Sequence, residues 1–294
     1  MQLFYTPDHA RVGDVIPYYE NGEFKLFYLK NWNPYFGSDK TYGWHLLTTK
    51  DLIHYESETA IGILGGTGCI IKVEGLYHLY YCVFEDQPQR QYVCHATSTD
   101  LTNWTKYPDE TFGPDESIYL LTDWRDPHVI WNEEEKCWWM ILCAQNQGNT
   151  KRRGCVGLCK SADLHHWTCC EPLYAPQSSM SAYECPDLFY MNGWWYLVFS
   201  QFTDRFQTLY RMSRSCNGPW IRPKTDSFDG RAFYAAKTCS DGEHRYIFGW
   251  NPTRTQNTWN FDPDPTHEGY DYKTYDWGRS EEHTSELQSH HRIS

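Results

Sequence analysis

Gly193-Trp194-Trp195-Tyr196-Leu197-Val198-Phe199 decides the fold. A turn glycine is followed by six apolar and aromatic residues, a run too short for a stable helix and rich in β-formers. The same form stands at Gly22-Glu23-Phe24-Lys25-Leu26-Phe27-Tyr28 and at Gly75-Leu76-Tyr77-His78-Leu79-Tyr80-Tyr81. It returns at Lys136-Cys137-Trp138-Trp139-Met140-Ile141-Leu142 and at Gly242-Glu243-His244-Arg245-Tyr246-Ile247-Phe248. The spacing of roughly 50–60 residues suits the four-stranded blade of a β-propeller. No helix-length amphipathic segment separates the runs, which argues against an α/β fold. The sequence therefore predicts an all-β, five-bladed β-propeller.

A second repeat follows the first. Thr49-Lys50-Asp51-Leu52-Ile53-His54-Tyr55, Ser98-Thr99-Asp100-Leu101-Thr102-Asn103-Trp104 and Ser161-Ala162-Asp163-Leu164-His165-His166-Trp167 share one form, with a looser copy at Ser213-Arg214-Ser215-Cys216-Asn217-Gly218-Pro219-Trp220. Each fits a turn between the third strand and the outer strand of a blade. An aspartate there can accept hydrogen bonds from the turn backbone, so these aspartates read as structural.

The 294 residues are enough to bury a large core in one domain. A net charge of −12 disfavours nucleic acid and anionic membranes as partners. A small-molecule or oligosaccharide substrate is compatible with it. No apolar run approaches the roughly 20 residues of a membrane span. The opening Met1-Gln2-Leu3-Phe4-Tyr5 lacks a signal-peptide pattern, so the expected location is cytoplasmic. The 12 cysteines sit mainly in apolar strand-like runs and read as small hydrophobes of a reducing compartment. Their spacing gives no zinc motif, and His45, His95 and His165-His166 show no metal-ligand spacing, so neither a metal nor a cofactor is expected.

Ahead of each aromatic run lies a first strand, which in a propeller lines the central channel. Three of these carry an acid at their start: Gly13-Asp14-Val15, Trp124-Arg125-Asp126-Pro127 and Tyr183-Glu184-Cys185-Pro186-Asp187. An acid entering an apolar strand is costly unless paired or functional. Two such carboxyls suit glycoside cleavage, one protonated as acid and one ionised as nucleophile or base. Asp14, Asp126 and Glu184 are thus the candidate catalytic set. Arg125, Trp32, Trp44, Tyr234 and Asp187 are the candidate substrate-binding residues. For the three rings core packing is an equal reading, and for Asp187 a structural pairing is the first.

Trp124-Arg125-Asp126-Pro127 resembles the Arg-Asp-Pro motif of glycoside hydrolase family 32, the family of invertases, levanases and inulinases. Glu184-Cys185-Pro186-Asp187 resembles its Glu-Cys motif, and Phe233-Tyr234-Ala235-Ala236-Lys237-Thr238 its fifth-blade motif. The resemblance implies a retaining β-fructosidase without catalytic metal. Asp14 would be the nucleophile, Glu184 the general acid and then base, Asp126 the transition-state stabiliser, and Arg125 a sugar-holding cation. The nucleophile segment departs from the family pattern, since Val12-Gly13-Asp14-Val15-Ile16-Pro17 lacks the usual Asn and Pro flanks. Other readings stay open: an inverting arabinanase- or xylosidase-like propeller, a fructosyltransferase, or a non-catalytic carbohydrate-binding propeller.

The stretch Arg279-Ser280-Glu281-Glu282-His283-Thr284-Ser285-Glu286-Leu287-Gln288-Ser289 resembles a translated sequencing adapter. Residues 279–294 are therefore expected to be a non-native tail outside the fold, and residues 1–278 the propeller. On this reading the propeller is truncated near the end of blade five and lacks the family's C-terminal β-sandwich.

Overall fold

The computed structural model describes residues 4–5, 7, 12–30, 43–56, 58–86, 89–180, 182–203, 207–229, 233–251 and 279–283. The described residues form nineteen β-strands and one short 3₁₀ turn at Pro108–Glu110. The fold is an all-β propeller. Its sheets fall into two compact units, one of residues 1–64 with 232–294, the other of residues 65–231. No helix among the described residues is long and apolar enough to cross a membrane.

In the first unit, β1 is Phe4–Tyr5, β2 Val12–Glu20, β3 Glu23–Lys30, β4 Gly43–Thr49 and β5 Thr59–Ala60. Strands β2 to β5 form an antiparallel meander in chain order. In the second unit, β6 (Gly68–Val73), β7 (Leu76–Asp86), β8 (Gln89–Ser98) and β9 (Thr105–Lys106) form one four-stranded sheet. Strands β10 (Tyr119–Asn132), β11 (Cys137–Asn146), β12 (Gly154–Ser161) and β13 (Thr168–Tyr174) form the next. The sheet of β14 (Tyr183–Met191), β15 (Trp194–Gln201) and β16 (Gln207–Ser213) has three strands. Where its outer strand was expected, the chain makes only isolated bridges from Leu209 to Ser227 and from Met212 to Ile221. The last sheet belongs to the first unit: β17 (Tyr234–Ser240), β18 (Arg245–Asn251) and β19 (Arg279–His283), with β1 on its edge.

Residues 279–283, at the start of the stretch read as a non-native tail, pair antiparallel with both β18 and β1. The physical reason is that ladder hydrogen bonds use backbone groups, so an edge such as β18 can take up a strand of almost any sequence.

Both sequence repeats are visible in the strands. Each aromatic run is the second strand of its sheet: β3, β7, β11, β15 and β18. The hairpin into β15 turns at Asn192-Gly193 with φ of 50° and 81°, and Asn21-Gly22 before β3 is alike at 53° and 79°. Two positive φ values are what a type I′ turn needs, and Asn-Gly supplies them at least cost. The Asp repeats also perform as read. Oδ1 of Asp51 accepts from the N–H groups of Ile53 and His54 at 2.9 and 2.8 Å, while Thr49 Oγ1 accepts from Leu52. Asp100 and Asp163 repeat this geometry with Ser98 and Ser161 in the threonine's place.

The core lies between neighbouring sheets. Tyr80, Trp124, Met140 and Leu142 pack together, joining the β6–β9 sheet to the β10–β13 sheet. Trp139, Ile141, Leu188, Leu197 and Phe199 do the same for the next interface. Within the first unit, Val12, Val15, Phe24, Tyr28 and Phe248 form a third cluster. Nine of the cysteines are buried, five of them in these clusters, where a thiol packs as a small apolar group.

Candidate active site

The inner strands are not regular. A shift in register interrupts β10 between Arg125 and His128, and another interrupts β14 between Glu184 and Asp187. At these bulges Asp126 has φ 57° and Cys185 φ 48°, both in the left-handed region that side chains seldom adopt. A bulge adds a residue to one strand and re-aims its side chains. Here it turns one acid in each strand out of the plain alternation. Strand β17 has the same device between Tyr234 and Lys237, with Ala235 at φ 52°. In β2 the interruption falls between Val12 and Val15, which brackets Asp14.

In the second unit the two bulges meet. The Cys185 N–H donates to Asp126 Oδ2 at 2.9 Å, with the Cys185 Sγ at 3.6 Å from the same oxygen. Asp126 is 4% exposed, so this bond serves a carboxylate nearly out of water. Arg125 Nη2 donates to Glu184 Oε1 at 2.6 Å, and its Nη1 donates to Asp123 Oδ1 at 2.6 Å. Its Nε lies 3.8 Å from Asp126 Oδ2. Gln145 Nε2 donates to the other oxygen of Asp123 at 2.5 Å, and Gln91 Oε1 accepts from the Trp124 N–H at 3.0 Å. One guanidinium therefore stands among three carboxylates. Burial works against its charge, yet the carboxylates of Glu184, Asp126 and Asp123 together hold the Arg125 pKa well above its ordinary value. Burial pushes the Cys143 thiol far up, which keeps it neutral beneath the guanidinium.

A cleft of about 490 Å³ opens over this group, lined by Asp123, Arg125, Gln145, Met180, Ala182, Glu184 and Phe202. Its floor is charged, and its rim carries exposed Met180 and Phe202. A volume of this size holds one or two sugar rings, and the mix of one apolar ring with convergent polar groups suits a polyol face.

The sequence-derived residues divide as follows. Arg125, Asp126 and Glu184 come together. Asp187 lies three residues past Glu184, 1% exposed, with its Oδ1 3.4 Å from His128 Nε2. Asp14 is half-buried on β2, in the other unit. Trp44 is 1% exposed with its ring 6.4 Å from that of Phe27, and Tyr234 is 2% exposed at the β17 bulge, so neither ring shows a face to solvent. Trp32 lies outside the described residues. Sequence reasoning missed Asp123, Gln91, Gln145, Met180 and Phe202. For Asp123 a signal existed: it stands two residues before Arg125, on the same face of a strand.

The fold and the site define a β-propeller with acids at the bulges of its inner strands. Comparison with known proteins narrows the class. The Glycosyl hydrolases family 32 N-terminal domain matches residues 15–271, and the chain belongs to that family. Asp14 lies immediately before the matched span. The chain is 26% identical over 258 residues to the levanbiose-producing levanase of Bacillus subtilis (strain 168), covering 80% of this chain and 45% of the relative. It is 28% identical over 243 residues to the sucrose-6-phosphate hydrolase of Escherichia coli, covering 70% and 48%. The chain thus spans about half the length of these curated relatives. Among solved structures, the family 32 β-fructofuranosidase of Bombyx mori superposes with a TM-score of 0.69 at 22% identity, over 95% of this chain and 61% of that one. The sucrose-6-phosphate hydrolase of Lactobacillus gasseri gives 0.67 at 20%, over 85% and 56%. At such identities the structural likeness speaks to the fold.

Proposed function

We propose that this chain is the catalytic propeller of a retaining β-fructosidase, which hydrolyses β-fructofuranosidic bonds of sucrose, fructo-oligosaccharides or fructans through a fructosyl-enzyme intermediate. On this reading the propeller is the five-bladed one that the sequence repeat predicts. The observation that carries the reading is the Arg125 bridge to Glu184 beside the capped Asp126, within a chain of family 32.

Each group has a chemical task. Glu184 is the general acid for the leaving oxygen and then the base for water. Asp126 accepts from the Cys185 N–H and faces the Arg125 charge, and it stabilises the oxocarbenium-like transition state from the fructose hydroxyls. Asp14 supplies the nucleophile from β2. Arg125 and Asp123 hold the sugar by charge-assisted hydrogen bonds, and Phe202 offers it an apolar face. The partner is a neutral sugar, as the acidic balance of the chain allows.

The test is fructose release from sucrose, inulin, levan and short fructo-oligosaccharides, with Glu184→Gln and Asp14→Asn alongside. Release that collapses in both variants, with the β-anomer of fructose formed first by NMR, supports the reading. First formation of the α-anomer would point to an inverting propeller. Folded protein releasing no fructose from any of the four would point to pentosides or to binding alone.

A further inference from the structure

A cluster that shares no residue with the cleft lies between the β6–β9 and β10–β13 sheets. His95 sits on β8, 3% exposed on its side chain. Glu110 ends the 3₁₀ turn that follows β9, and His165 stands in the Asp163 turn that follows β12. The Nδ1 of His95 lies 2.6 Å from Glu110 Oε2, and the Nδ1 of His165 lies 2.9 Å from Glu110 Oε1. One donor atom from each of the three residues can be chosen so that all lie within 4.8 Å of one another.

We propose that His95, Glu110 and His165 form a binding site for a first-row transition dication, with Zn²⁺ as the best match. Two imidazoles and a carboxylate are a donor set that Zn²⁺ accepts, at bond lengths near 2.0–2.2 Å. Ligand atoms around a tetrahedral ion of that size stand about 3.4 Å apart, so the 2.6 Å contact of His95 with Glu110 has to open while the widest donor separation, at most 4.8 Å, closes. The side chains of Glu110 and His165 are 21% and 39% exposed, so water can reach the fourth position.

The surroundings of His95 are those of a ligand rather than of a packed ring alone. Its far nitrogen, Nε2, lies 3.0 Å from His78 Nδ1. When His95 Nδ1 binds the ion, Nε2 keeps its proton and donates it to His78, which fixes tautomer and ring angle as outer partners of metal sites do. Tyr80 stacks on one side of His95 at 4.5 Å and 6°, and Tyr107 lies at 5.2 Å and 27°. Metal entry costs one rearrangement: both Nδ1 atoms give up any proton they share with Glu110, and two neutral imidazoles with one carboxylate anion leave a net charge of +1 on the complex with a dication. The ion would tie one sheet to its neighbour. No linear motif announces it, because the ligands stand at positions 95, 110 and 165.

The experiment uses the full chain with His290 and His291 changed to Ala, stripped with chelator, then titrated with Zn²⁺ by calorimetry and with Co²⁺ by visible absorption. One ion per chain is expected, with affinity lowered about 100-fold or more in His165→Ala and Glu110→Gln, about 10- to 100-fold in His78→Phe, and unchanged in His166→Ala. Zn²⁺ should also raise the thermal midpoint of the parent and not of His165→Ala. Circular dichroism confirms that each variant is folded. His165 is partly exposed on a turn, so its loss tests the site without emptying the core. Equal binding in the parent and in folded His165→Ala, weakening only in His166→Ala, or no binding at micromolar Zn²⁺ would each overturn the proposal.

Discussion

Arg125 donates from Nη2 to Glu184 and from Nη1 to Asp123, both at 2.6 Å, so one cation joins an acid of its own strand to an acid of the next sheet. The expected outcome of Arg125→Lys follows from geometry. Lysine keeps the charge but has no planar fork, so it cannot make both bonds at once. Loss of one charge-assisted bond is worth about 1.5–3 kcal/mol, which lowers kcat/KM for fructose release by roughly 10- to 150-fold. Arg125→Ala is expected to be worse for the fold as well. It leaves buried carboxylates uncompensated and lowers unfolding stability by about 3–5 kcal/mol, measurable by denaturant titration.

Glu184→Gln keeps the shape and an acceptor for Arg125 but cannot donate an acidic proton. The expected fall in kcat is about 10²- to 10⁴-fold. The thermal midpoint should hardly move. A large drop in midpoint would mean that the residue serves the fold more than the chemistry.

Acid stability has a clear sign. The side chain and N–H of His54 with the N–H of Ile53 hold the Asp51 carboxyl far below its usual range. Asn103 and Thr102 do this for Asp100, and His166 and His165 for Asp163. Burial opposes the charge of Asp241, yet the His244 N–H, the Tyr246 hydroxyl and the Glu243 N–H bring its pKa to about 2. A depressed folded pKa contributes stability that is complete above the unfolded value of 3.8 and is lost as pH falls through the folded values. Thermal midpoints of the parent should therefore fall steeply below pH 3.8. The combined Asp51→Asn, Asp100→Asn and Asp163→Asn chain should start lower at neutral pH and fall less steeply.

Leu197 is fully buried between the second-unit sheets. Leu197→Ala removes apolar area and leaves a cavity, at a cost of about 2–5 kcal/mol. Urea unfolding should show it as a lower midpoint with an unchanged slope.

The repeat was legible because each copy carries its own turn chemistry: Asn192-Gly193 for the hairpin, Ser161 with Asp163 for the outer turn. Arg125, Asp126 and Glu184 were legible because a charge entering an apolar strand needs a reason. The rest of the cleft was not. Gln91, Gln145, Met180 and Phe202 are ordinary residues of strands and loops, and only packing brings them to Arg125. The bulges were hidden too, since residue alternation reads through an extra residue without marking it. Burial of Trp44 and Tyr234 likewise depends on which neighbours cover them. Asp163 was read correctly as a turn residue, while the meeting of His165 with His95 across two sheets has no trace in local spacing.

The bulge at Asp126 has a practical consequence for anyone altering β10. A strand normally keeps one parity from end to end, so a residue's facing can be counted from either terminus. Here the count changes phase in the middle. Trp124 and Arg125 obey one frame and residues from His128 onward another, and the cleft is built where these frames join. A one-residue deletion in this stretch would merge the two. It would leave every bond of the sheet able to form while turning the chemistry to the wrong side.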